Sequence, residues 1–165
     1  MMSRLTFRVF LLSIYVLKVG TSLSAVSAQE QIRILAGREF QLEEREDKDM
    51  ENTLIVLNLD GTVSLHDTDG PQYKSYSGEW MIQEDDKIHP FRLRLDRTFT
   101  GGMDAVSTTD IGEFDYQVSR EFWGNIQIAA GGAVIVEGVI HLLDTDASTI
   151  KFFEVGYFAL IDSAP

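Results

Sequence analysis

The chain has 165 residues, with 26 Asp and Glu against 14 Lys and Arg, a formal net charge of −12 and no cysteine. Such a surface repels phosphate backbones and anionic lipid, which argues against nucleic-acid binding and electrostatic membrane docking. Without thiols there is no disulfide framework, no thiolate nucleophile and no cysteine-ligated zinc.

The first 28 residues differ from the rest. They carry Arg4, Arg8 and Lys18 but no acid, an apolar run Val9–Leu17, and the ending Ser24-Ala25-Val26-Ser27-Ala28. A basic start, a short apolar core and a small-x-small end form the order of a secretory signal. Val26 and Ala28 supply its −3 and −1 positions, so cleavage is expected after Ala28. The run is shorter than the roughly 20 apolar residues a membrane anchor needs. A mitochondrial or plastid presequence shares the basic, acid-free composition and stands as the alternative address. Cleavage leaves one domain, 29–165, with 11 Lys and Arg against 26 Asp and Glu, a net −15. Its expected location is outside the cell or in the lumen of the secretory pathway.

The rest of the chain alternates apolar and polar residues with period 2, the mark of strands with one buried face. Ile32, Ile34 and Ala36 predict a short first strand. Gln41–Glu51 is almost wholly charged and reads as a solvated loop or a short exposed helix. Leu54–Leu59 and Thr62–Leu65 flank Asp60-Gly61, the signature of a type I′ hairpin turn. Asp67–Pro71 is a loop. Tyr76, Gly78, Trp80 and Ile82 share one strand face, and Glu84–Lys87 turns the chain. Phe91, Leu93 and Leu95 follow. Gly101-Gly102 opens a long polar loop to about Gly112, before a strand with Phe114, Tyr116 and Val118. Phe122–Ala130 is the next strand, and Gly131-Gly132 marks a second hairpin. Val134, Val136, Gly138, Ile140 and Leu142 share a face. Asp144-Thr145-Asp146 turns into the closing strand Ile150–Ile161.

No segment shows a sustained helical period. The expected fold is all-β: an antiparallel up-and-down meander of about eight strands, closed or nearly closed into a barrel. A two-sheet sandwich is the alternative. Leu57-Asn58-Leu59-Asp60-Gly61-Thr62-Val63, followed by Gly78-Glu79-Trp80, resembles the pattern of lipocalin-like (calycin-type) small barrels. The resemblance covers about residues 54–95. It implies a barrel whose interior can hold a small apolar molecule.

Candidate chemistry is sparse. His66, His89 and His141 show no metal-ligand spacing. Asp67-x-Asp69-Gly70 and Asp144-x-Asp146 lack the other ligands of a calcium loop, and turn formation explains both. No nucleophile elbow and no phosphate-cradling loop occur, and no cofactor motif is present. Strand carboxylates Glu79, Asp115, Glu137 and Glu154 are the acid–base candidates. An enzymatic reading needs some of them buried in a pocket. Arg92, Arg94 and Arg120 could meet an anionic head group or pair with carboxylates.

Tyr76, Trp80, Phe114 and Tyr116, with Arg92 and Arg94, form the expected ligand-binding set, and Trp80 suits the plug of one barrel end. The function expected is a non-catalytic module binding a small apolar or amphipathic ligand. The alternatives are a structural or protein-interaction factor with a filled barrel, and a cofactor-free isomerase or cyclase. The sequence sets no oligomeric state.

Overall fold

The computed structural model describes residues 21–22, 27–47, 49–101, 114–129, 131–144 and 151–163. The apolar run Val9–Leu17, the polar connection beyond Gly101, and Thr145 and Asp146 lie outside the described residues. The elements are β1 (Thr21–Ser22), α1 (Ala28–Leu35), β2 (Glu39–Glu46), β3 (Asp49–Leu57) and β4 (Val63–Thr68). They continue with β5 (Ser75–Ile82), β6 (Phe91–Gly101), β7 (Phe114–Ile128), β8 (Val134–Asp144) and β9 (Lys151–Asp162).

The strands follow the order β4-β3-β2-β9-β8-β7-β6-β5, every neighbouring pair antiparallel. This is the expected meander of eight strands in a nearly closed barrel. The first and last of the eight barrel strands in chain order, β2 and β9, pair along seven residues, Phe40–Glu46 with Gly156–Asp162. The seam lies between β4 and β5, where one bridge, Thr62 to Glu79, joins the edges. Side chains brace the rest of it: Tyr76 donates to the Leu65 carbonyl and Tyr73 to that of His66. The two-residue β1 pairs with Gln127 and Ile128 of β7.

Alternation decides the interior. Phe40 and Leu42, Ile55 and Leu57, the row Phe91–Leu93–Leu95, Phe122 and Ile126, and Phe158 and Leu160 all point inward and are buried. Each such side chain contributes about 1.5–3 kcal/mol on leaving water. Phe122 meets Phe158 edge-on at 5.3 Å, and Phe91 lies against Trp80 at 6.4 Å. Trp80 sits where the sequence put it, at one barrel end, with its indole N–H donating to the Asn58 carbonyl at 2.8 Å.

Four local expectations are corrected. The segment around Ile32 and Ile34 is helix α1, not a strand. Ser27 caps it, accepting from the Glu30 amide at 3.3 Å, and Gln31 and Leu35, one turn apart, are its buried face. Two helical turns are too short to show a period, so a local alternation of isoleucines misled the reading. Gln41–Glu51 forms most of the β2–β3 hairpin rather than a loop or exposed helix. Glu44 and Glu46 within it pair with arginines far away in sequence. The Asp60-Gly61 hairpin has a longer loop than type I′. Gly61 alone takes positive φ, at +86°, and the Asn58 amide donates to the Thr62 carbonyl, a type I turn with a glycine bulge. Finally, Phe114–Val118 and Phe122–Ala130 are not two strands: β7 runs unbroken from Phe114 to Ile128.

Gly138 faces Gly124 across β7 and β8. A Cβ at Gly138 would stand 1.9 Å from the Trp123 carbonyl oxygen, and one at Gly124 would strike Phe158 and Val136. The close approach leaves no room for a side chain. Gly138→Ala is therefore expected to destabilise the fold by about 3 kcal/mol, read as a lowered urea midpoint.

Candidate functional site

The inward rows change character along the barrel axis. At the α1 end they are apolar except for Asp162, which is buried and paired with Arg38. Towards the other end, β2 continues from Leu42 to Glu44 and Glu46, and β6 continues from Leu95 to Arg97 and Phe99. On β7 the same row holds Arg120, Val118 and Tyr116, and β3 adds Glu51 and Asp49. In the eight-strand order β2 and β6 are four positions apart, on opposite walls. Arg97 nevertheless reaches Glu44 with two bonds, of 3.0 and 2.7 Å, and both residues are more than nine-tenths buried. Arg120 reaches Glu46 likewise, at 2.7 and 2.9 Å. These two bidentate pairs cross the lumen as struts.

Above the struts the barrel opens into a cleft of about 310 Å³, lined by Glu46, Asp49, Glu51, Phe99, Tyr116 and Val118 among others. The Phe99 and Tyr116 rings stack along its wall at 5.6 Å. The Glu51 carboxylate makes no hydrogen bond or ion pair among the described residues. Burial pushes its carboxyl above the usual range, with the charge of Glu44 adding to the effect and Arg97 opposing it. A methyl at Gly70 would stand 2.7 Å from the Glu51 carboxylate, so glycine there leaves that carboxylate its space. The Arg97 Nε–H is enclosed with no acceptor among the described residues.

The structure separates the six residues expected to bind a ligand. Tyr116 lines the cleft, Phe114 follows it on the same row with its ring 6.1 Å away, and Tyr76 stands at the same end beside the seam. Trp80 is buried at the opposite end. Arg92 and Arg94 face outward. Arg92 pairs with Asp86 at 2.7 Å and lies 4.2 Å over the Trp123 ring, and Arg94 pairs with Asp96. A wider groove of about 540 Å³ brings Trp80, Arg92 and Arg94 together in its lining, but it lies on the outer face, where solvent competes for every contact. The closed side of the cleft makes the mouth the better candidate.

Glu79, Asp115, Glu137 and Glu154 are all exposed, so none supplies the buried carboxylate an enzymatic reading needs. Asp115 instead holds the rim, accepting from Lys74 and Thr100, which keep its carboxyl below the usual range. Asp69 accepts from the amide and side chain of Asn52, as a turn residue does. His141 packs on Trp123 on the outer face, where burial pushes its imidazole below the usual value. Among the described residues no three His, Asp or Glu side chains could hold a metal ion.

Sequence reasoning missed Glu44, Glu46, Glu51 and Arg97, and met Arg120 as a group for an anionic head or a partner for carboxylates, of which the structure shows the second. The signal was there: Phe40, Leu42, Glu44 and Glu46 keep one parity, as do Leu93, Leu95, Arg97 and Phe99. No protein-family model matches the chain, and no curated protein or solved structure shows a significant match.

Two outcomes test this geometry. Arg97→Met is expected to cost about 3–5 kcal/mol in chemical denaturation by stranding Glu44, and adding Glu44→Leu to recover most of it. Because the Glu51 pKa is raised on folding, its contribution is present below the ordinary carboxyl range and is lost as pH rises through the raised value. Glu51→Gln should thus melt higher than the parent at pH 7, and the gap should close below about pH 4.

Proposed function

We propose that the protein is a small non-catalytic binding module that takes one amphipathic molecule in the open end of its barrel. The observation that carries the reading is the Arg97–Glu44 strut. Below it the lumen is filled by side chains. Above it lies a cleft with an aromatic wall on one side and carboxylates on the other. A volume of about 310 Å³ is at the small end of ligand pockets. It suits a compact molecule, or one end of a longer one. The lipocalin-like pattern at Leu57–Val63 and Gly78-Glu79-Trp80 supports a ligand-holding barrel. The composition of residues 1–28 supports delivery into the secretory pathway.

One observation favours a second reading, a protein-interaction factor. Trp123, Phe152 and His141 form an aromatic cluster on the outer wall, and the rings of Phe152 and Tyr157 are exposed there. Isolated apolar residues are ordinary on a surface, whereas a contiguous group marks a docking face.

A neutral environment-sensitive dye, N-phenyl-1-naphthylamine, separates the two readings. It should bind with one-to-one stoichiometry and a blue-shifted emission. Phe99→Ala and Tyr116→Ala should each weaken it by about tenfold, ~1.4 kcal/mol. Met81→Ala in the outer groove should leave it unchanged. Equal binding by all three variants places the dye elsewhere and removes the mouth as the site.

A further inference from the structure

Charge at the mouth selects the kind of head group. Arg97 and Arg120 each direct two nitrogens into a carboxylate, and the remaining Nε–H of Arg97 is enclosed. Neither is placed to clamp an incoming anion. The charged groups that remain are Asp47, Asp49 and Glu51, which line the same cleft and have no ion-pair partner among the described residues. All three are acidic. Glu51 faces Glu44 and Glu46 from β2, Asp69 from the turn after β4, and Arg97 from β6, three acids against one base. Opposite these carboxylates stand the stacked rings of Phe99 and Tyr116, whose π faces attract a cation and repel an anion.

An unpaired, partly buried carboxylate beside an aromatic wall is a costly arrangement for folding alone. A positive charge entering the cleft relieves it. We infer that the barrel mouth binds an organic cation, an amine or quaternary ammonium carrying an apolar group, with Glu51 facing the charge and Phe99 and Tyr116 lining the apolar part. The inference rests on the mouth being a ligand site and adds the chemistry of what enters it.

The test uses three molecules that share one tail: octyltrimethylammonium, octanol and octanoate, titrated calorimetrically into the full chain at 0.15 M salt. That ionic strength screens the general acidic surface beyond about 8 Å. The cation should bind at least about tenfold tighter than octanol, and octanoate more weakly than either. Glu51→Gln should remove most of the cation preference while leaving octanol affinity unchanged, which also shows that the variant is folded. Glu84→Gln removes the same charge at the far end of the barrel and should alter nothing.

If octanoate binds tightest, or if Glu84→Gln lowers cation affinity as much as Glu51→Gln, the assignment of a cation site is overturned. If octanol binds as well as the cation, the binding-module reading stands and the head-group inference falls. If none of the three binds, both fall.

Discussion

A single ion pair divides the barrel interior into two unlike halves. Arg97 and Glu44 stand on opposite walls of an eight-stranded barrel, and their side chains meet in the middle. Two opposite charges taken out of water cost more than they return unless the geometry satisfies them closely. Here two parallel bonds do so, with Arg120 and Glu46 repeating the arrangement one layer out. The apolar core ends at the struts, because an arginine and a glutamate locked together cannot be packed over with leucine. The open end is polar for the same reason. A hydrocarbon lumen continuing to the rim would instead have made a deep apolar cavity.

The two ends are finished differently. At one, Trp80 caps the interior, its indole N–H bonded to the Asn58 carbonyl, and Leu35 of α1 completes the cover. The loop after β3 turns tightly enough that its Gly61 carbonyl accepts from the Trp80 amide, joining β4 to β5 near the seam's one bridge. At the other end the walls carry side chains that do not fill the space between them. The glycine pair Gly124 and Gly138 lets Phe158 reach the barrel axis and pack on Phe122. Packing therefore concentrates in the lower barrel and leaves the mouth open as a cleft.

Much of the fold was legible because strand alternation is a local property. The row Phe91–Leu93–Leu95 reads as buried in sequence and is buried in space, and the same holds for Val134–Val136 and Ile140. The candidate site was legible only in part. Tyr116 was expected at a ligand site and lines the cleft. Arg92 and Arg94 were expected there too, yet their even positions on β6 point them outward. In isolation a charged residue on a strand reads as solvent-facing. Glu44 and Arg97 break that rule because each is the other's solvent. They lie 53 residues apart in the chain, and Glu46 and Arg120 lie 74 apart, beyond the reach of any local pattern.

By itself the sequence determined the acidity, the absence of thiol chemistry, the period-2 rhythm and hence an antiparallel barrel. These depend on composition or on neighbours one and two residues away. The tertiary structure alone decided which face of each strand is the inside once polar residues enter the row. It also turned the charged stretch 41–51 into a wall of the mouth and set Glu51 against Phe99 and Tyr116. Those outcomes depend on which strands stand opposite each other after closure, and closure is a property of the whole sheet.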